Sequence, residues 1–165
     1  MHVAIITARA GSTSIPNKNV MNIADRPIVS YPVEAAEEAD TITKTYTSTN
    51  GDKIAEVASE WGSETIWRPE ELSGDGGHGD VIKHATKTVN KEVKELENVV
   101  LLLGNTTMVD SDLIDQAIEV LQERPEVDST MTVWEAADDH PVRAMMVNNE
   151  GYLSAYDEAS EVAET

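Results

Sequence analysis

The sequence predicts an α/β protein built on a mostly parallel β-sheet flanked by helices. Three observations carry this. Short apolar or β-branched runs alternate with segments of helical periodicity, in the order βαβαβαβαβ followed by a hairpin. Val99 to Leu103 is apolar throughout, the pattern of a central parallel strand covered on both faces. Helix punctuation falls where that alternation needs it, with Gly62 behind one helical segment and Asp110 ahead of another.

Val3-Ala4-Ile5-Ile6 opens the chain as a buried strand and ends in a loop containing Gly11, Ser12, Ser14 and Pro16. Ile28 to Ala39 carries Val29, Val33 and Ala36 at helical spacing with acids between them, which predicts an amphipathic helix. Lys44 to Thr49 is short and β-branched, hence a strand. Asn50-Gly51-Asp52 turns into a helix bearing Ile54, Val57, Ala58 and Trp61, closed by Gly62. Thr65 to Trp67 is a short strand, and Arg68 to Asp80 reads as a loop holding Gly74, Gly76, Gly77 and Gly79. Val81 to Val89 is helical, Val99 to Leu103 a strand, and Asp110-Ser111-Asp112 offers N-cap chemistry to a helix from Leu113 to Glu123. Ser129 to Trp134 and Val142 to Val147 read as strands. Asn148-Asn149-Glu150-Gly151 then turns into Tyr152-Leu153-Ser154 as a C-terminal hairpin.

The chain has 165 residues, with 31 acidic against 12 basic side chains and a net charge of −19. That length suits one domain with a sizeable core, and a hydrophobic content of 40% is that of a globular chain. So strong an acidic excess repels nucleic acid and anionic membrane surfaces, which excludes both as expected partners. No cysteine is present, so disulfides, thiol catalysis and zinc–thiolate sites are excluded together. No apolar run reaches membrane-spanning length and the N-terminus lacks a charged leader with a cleavage site, so a cytoplasmic protein is expected. The acids are spread over Glu34, Glu37, Glu38, Glu56, Glu60, Glu119, Glu126 and others. This is the pattern of a halophilic surface, where salt screens the mutual repulsion; an ordinary acidic protein is the plainer alternative.

In an open α/β sheet, ligands bind beyond the carboxyl ends of the strands. Residues 8–19, 68–80 and 104–110 meet that condition. The first stretch, Ala8-Arg9-Ala10-Gly11-Ser12-Thr13-Ser14-Ile15-Pro16-Asn17-Lys18-Asn19, combines small residues with Arg9 and Lys18. Small side chains let backbone amides approach an anion, and the two cations suit phosphate oxygens. Residues 1–33 hold Arg9, Lys18 and Arg26 against Asp25 alone, a local balance of +2. The alternative is a surface loop with two incidental cations. The stretch is neither a Walker sequence nor Gly-x-Gly-x-x-Gly.

These residues resemble the acylneuraminate cytidylyltransferases, the CMP-sialic acid synthetase family, whose nucleotide loop runs Ala-Arg-x-x-Ser-Lys-x-Ile/Leu-Pro-x-Lys-Asn. Further segments are similar in order along the chain: Thr47 to Glu56, Arg68-Pro69-Glu70-Glu71-Leu72, Leu101 to Thr107, Asp139-His140-Pro141 and Asn148 to Tyr152. The resemblance implies a Rossmann-like nucleotidyltransferase fold. It implies a reaction of CTP with a sialic acid-like 2-keto sugar acid that gives a CMP-sugar and pyrophosphate, with magnesium (Mg2+) as cofactor. By position, Arg9, Ser12, Lys18 and Asn19 would hold the triphosphate, with Arg9 and Lys18 as the catalytic cations and Ala8 and Gly11 beside them. Arg68 would contact the nucleotide, Gly77 and Gly79 would border cytosine and ribose, and Asn105 and Thr106 would face the sugar. The partners implied are CTP and a sugar acid, with a homodimer as the assembly.

Three departures bear on that reading. The family's loop lysine is Thr13 here, and the Gln-Pro of its Leu-Leu-Gln-Pro segment is Gly104-Asn105. The family chain also runs on past the point that matches Thr165. One domain over residues 1–165 is therefore expected, shortened at its C-terminus relative to the family, and the metal ligands are left unassigned. Asp110 and Asp112 read more cheaply as helix-capping residues than as metal ligands. His140 reads as structural, with a general base as its alternative, His84 as half-buried filler, and His78 as a flexible surface side chain, with contact to a ligand as its alternative. Trp61, Trp67 and Trp134 read as core anchors. A non-catalytic or incomplete nucleotide-binding domain stays open as an alternative, as does a transferase for another sugar or nucleotide.

Overall fold

The structure, a computed structural model, describes residues 1–11, 15–74, 77–133, 145–147 and 153–155. Ser12, Thr13, Trp134, the Asp139-His140-Pro141 segment and the turn from Asn148 to Tyr152 lie outside the described residues. The chain divides into two compact units, Met1–Thr130 and Met131–Thr165.

The first unit is built on four parallel strands: β1 (His2–Thr7), β4 (Ile42–Thr49), β5 (Glu64–Trp67) and β6 (Asn98–Leu103), in the order β5-β4-β1-β6. The helices between them are α1 (Ser30–Glu38), α2 (Asp52–Glu60) and α3 (His78–Glu92), and α4 (Ser111–Glu123) follows β6. All six residues of β1 are buried. Alternation sends Ala4 and Ile6 to one face, where they pack with Val33 and Ala36 of α1, Ile54 and Ala58 of α2 and Ile114 of α4. Val3 and Ile5 go to the other face, with Tyr46, Ile66 and α3 residues Ala85 and Val89. Truncating either β1 isoleucine to alanine is worth roughly 2–5 kcal/mol in such a core.

The expected architecture is present: a mostly parallel sheet flanked by helices. From β1 the chain steps outward through β4 to β5, then crosses by α3 to the far side of β1. Strand order therefore reverses between β1 and β6, the position where such sheets open a ligand crevice.

Several elements differ from the reading of the sequence. A small antiparallel ladder, β2 (Asn22–Ile23) with β3 (Arg26–Pro27), precedes α1. Its turn residues Ala24 and Asp25 both have positive φ, at 48° and 69°, the backbone of a two-residue primed hairpin without the Asn-Gly that announces one. The 68–80 stretch is only partly loop: Glu70–Leu72 forms a 3₁₀ turn and α3 starts at His78, so Gly79 lies in its first turn. β6 is not a central strand of the described sheet. Among the described residues it pairs only with β1, and Leu101 and Leu103 are 39% and 47% exposed. Residues 129–133 form no strand. Trp67 is not a core anchor: it faces away from buried Ile66 on an edge strand and is 54% exposed.

In the second unit, β7 (Met145–Val147) pairs antiparallel with β8 (Leu153–Ala155), the expected C-terminal hairpin ladder. Among the described residues no helix is long and apolar enough to cross a membrane.

Candidate functional site

The carboxyl ends of β1, β4 and β6 are tied together by backbone bonds that fix where each following loop begins. Ala8 N–H donates to the Ser48 carbonyl at 3.0 Å and Gly104 N–H to the Thr7 carbonyl at 3.0 Å. Arg68 N–H donates to the Thr49 carbonyl at 2.9 Å. Two glycines make these approaches possible. A Cβ on Gly104 would stand 2.6 Å from Ala8 Cβ, and one on Gly51 would stand 2.8 Å from Ala10 Cβ. Gly104, a departure from the family pattern, thus has a packing reason at the β1–β6 crevice.

The 8–19 loop is held at its two ends by side-chain amides. Ala10 N–H donates to Asn50 Oδ1 at 2.9 Å, and Asn19 Nδ2 donates to the Arg9 carbonyl at 2.9 Å. Asn19 is 6% exposed, so its amide acts on the loop backbone that carries Arg9. Asn17 initiates the 3₁₀ turn Lys18–Val20 from a left-handed conformation at φ 55°, which asparagine tolerates better than most residues. That turn sets Lys18 next to Asn19, and among the described residues the Lys18 ammonium has no ion-pair partner.

Arg68, half-buried at the end of β5, reaches back to the neighbouring strand. Its Nε donates to Ser48 Oγ at 3.1 Å and its Nη2 to the Ser48 carbonyl at 2.8 Å. Burial, and then the positive charge of Arg9, push the Arg68 pKa down to about 10. Arg9 itself donates to the Gly74 carbonyl at 3.4 Å. The two guanidiniums thus stand near enough at one end of the sheet for their charges to interact, with Arg68 partly desolvated.

Arg26, counted with the positive N-terminal stretch, is engaged elsewhere. It forms an ion pair with Glu34, and its Cζ lies 3.8 Å above the Tyr31 ring. The cationic character of residues 1–33 therefore reaches this end of the sheet through Arg9 and Lys18.

The remaining predicted positions fall around this group. Ala8 is buried against Gly104, and Gly11 is exposed. Gly77 and Gly79 flank His78 at the start of α3, and a Cβ on either would meet nothing within 4 Å. Asn105 is exposed and Thr106 half-buried just beyond β6. Ser12 lies outside the described residues. Reading the sequence missed Thr7, Ser48 and Asn50 as parts of the scaffold. Their signal was a run of hydroxyl and amide residues at the ends of otherwise buried strands. Thr7 and Ser48 are both buried, and they are paired in register.

Asp110 is the N-cap of α4: its Oδ1 accepts from Leu113 N–H at 2.9 Å, as the capping interpretation expects. Among the described residues no group of three or more His, Asp or Glu side chains gathers to hold a metal.

Comparison with known proteins bears on the family of the chain. The family model described as Cytidylyltransferase matches residues 3–156. The N-acylneuraminate cytidylyltransferase of Escherichia coli is 31% identical over 121 residues, covering 73% of this chain and 28% of that protein. The pseudaminic acid cytidylyltransferase of Campylobacter jejuni is 26% identical over 161 residues, covering 95% of this chain and 68% of that protein. In fold the chain is similar to a CMP:2-keto-3-deoxy-manno-octonic acid synthetase solved with CTP. The TM-score there is 0.62 at 18% identity, over 75% of this chain and 48% of that one. The chain thus spans under a third of the first of these relatives and about two-thirds of the second. With the family match running almost from end to end, the chain belongs to the cytidylyltransferase family.

Proposed function

We propose that this protein is a CTP-dependent nucleotidyltransferase that activates a 2-keto sugar acid of the sialic acid kind, releasing pyrophosphate and forming the CMP-sugar. One observation carries the reading. Arg68, partly desolvated and held by Ser48, lies near Arg9 beyond the carboxyl ends of β1 and β4, so two guanidiniums contribute positive potential at that end of the sheet. The family match supports CTP as that ligand.

In this reading Arg9 and Lys18 meet the triphosphate, with Ser12, Gly11 and Ala8 beside them and Asn19 steadying the loop. Arg68 contacts the nucleotide. Gly77 and Gly79 admit the nucleoside closely because they carry no side chain, and Asn105 and Thr106 face the sugar acid. The sugar's anomeric hydroxyl attacks the α-phosphorus. One P–O bond forms there as the bond to the bridging oxygen breaks, and pyrophosphate departs. Positioning and charge neutralisation supply most of the catalysis in such a displacement, so no covalent nucleophile is required. Magnesium, if bound with the nucleotide, would neutralise part of the triphosphate charge. Residues 1–165 act as one nucleotidyltransferase domain, and a homodimer is the assembly proposed.

Pyrophosphate release from CTP, measured with a panel of 2-keto sugar acids, tests the proposal. Release that depends on both CTP and one of the acids supports it. CTP binding without release from any acid would favour a nucleotide-binding module instead.

A further inference from the structure

His78, the first residue of α3, is exposed, yet its ring is not free to wander: Nε2 lies 3.0 Å from Thr7 Oγ1. Thr7 is the last residue of β1 and pairs in register with Ser48 of β4. Registered partners on adjacent parallel strands point to the same face and stand about 4.8 Å apart. The Thr7 and Ser48 hydroxyls are therefore neighbours. One holds the His78 imidazole and the other the Arg68 guanidinium.

Thr7 also leads directly into Ala8 and Arg9. Among the described residues, a Cβ on Gly77 or Gly79 would meet nothing within 4 Å on either side of His78, and no side chain caps the start of α3. Its first-turn amides and the positive end of its dipole add to the attraction for an anion. With Nε2 engaged by Thr7, Nδ1 is the nitrogen left to a ligand. When the Thr7 hydroxyl donates to Nε2, Nδ1 carries the proton and becomes a hydrogen-bond donor.

We propose that His78, seated on Thr7, is a phosphate-contacting residue of the nucleotide site beside Arg9 and Arg68, and that Thr7 is its positioning residue. This rests on the nucleotide reading above.

Calorimetric titration of the chain with CTP and with CMP tests it, using wild type, His78→Ala, His78→Asn, Thr7→Val and the Thr7→Val/His78→Ala double variant. Arg68→Ala serves as the reference for the site. His78→Ala is expected to weaken CTP binding about tenfold, the value of one charge-assisted hydrogen bond, and to weaken CMP binding less. His78→Asn should recover part of the loss, because its amide nitrogen can stand where Nδ1 stood. Thr7→Val should lower CTP affinity, and the double variant should bind no worse than His78→Ala alone. His78 is exposed, so its variants carry the test if Thr7→Val fails to fold.

CTP affinity within twofold of wild type in His78→Ala, with binding lost in Arg68→Ala, would overturn the inference and leave the nucleotide reading standing. Equal losses for CTP and CMP would overturn the assignment to the phosphate chain. Wild-type protein that binds no CTP would overturn both readings together.

Discussion

Arg9 and Arg68 stand close enough at the carboxyl edge of the sheet for the charge of one to help lower the pKa of the other. Burial is the larger cause, and among the described residues the side-chain partner of Arg68 is the neutral Ser48 hydroxyl. Both add to the positive potential that an anionic ligand would meet at this end of the sheet. CTP should therefore raise the melting temperature of the wild-type chain: at a hundredfold excess over Kd a ligand adds about 2.7 kcal/mol of stability. Arg68→Ala should cut the affinity by roughly 1.5–3 kcal/mol and shrink that shift. An equal thermal shift in wild type and variant would remove Arg68 from the site.

Lys18 follows the strained Asn17 and precedes the Asn19 clamp, so its backbone is fixed while its ammonium has no described ion-pair partner. Lys18→Ala should weaken CTP binding by roughly 1.5–3 kcal/mol with little change in unfolding midpoint. Calorimetry and urea titration on the same variant separate the two. Unchanged affinity would contradict the assignment of the 8–19 loop to the triphosphate.

Gly104 touches Ala8 so closely that even one methyl group cannot be added without movement. Gly104→Ala should destabilise the chain by about 1–3 kcal/mol, the usual effect of overpacking. It should also lower CTP affinity by displacing the start of the loop that carries Arg9. A urea midpoint equal to that of wild type would show that the crevice is looser than its contacts indicate.

Asp115 of α4 accepts three hydrogen bonds from the turn between α1 and β4: from Thr41 Oγ1 at 2.5 Å, Thr41 N–H at 2.8 Å and Asp40 N–H at 3.0 Å. Burial raises its pKa, but the bonds from Thr41 and Asp40 outweigh that and hold it below the ordinary value. The unfolded state then binds the proton more readily. The stabilisation is full above the unfolded pKa of about 3.9 and is lost as pH falls through the lower folded value. Asp115→Asn should cost about 1–2 kcal/mol at neutral pH, and the gap from wild type should close under acid. Urea midpoints of both proteins at pH 7 and at acid pH check this. A gap that does not vary with pH would contradict it.

What could be read from the sequence was mostly local chemistry. The Gly62 cap appears at φ 107° and the Asp110 cap on Leu113, because capping depends on residues a few positions apart. β1 was legible because its apolar run is short and bounded by a glycine-containing loop. β6 was misplaced because an apolar run records burial but not how many neighbours a strand has. The start of α3 was hidden by its glycines, whose low helix propensity the helix overrides through Val81, Ala85 and Val89 packed on the sheet. The β2–β3 ladder was missed because Ala24 occupies a left-handed position that alanine rarely takes. At the site, Arg9 and Lys18 could be read from their loop, and Arg68 from a resemblance. The Thr7–His78 and Ser48–Arg68 contacts could not, since they depend on strand register across 71 and 20 residues of chain.

In the proposed function CTP binds beyond the carboxyl ends of β1 and β4, against Arg9 and Arg68. Calorimetric titration of the wild-type chain with CTP, UTP, GTP and ATP in parallel tests it most directly. The account predicts saturable binding with CTP preferred, and loss of that binding in Arg68→Ala. Absence of binding by all four nucleotides, or equal affinity for each, would contradict it.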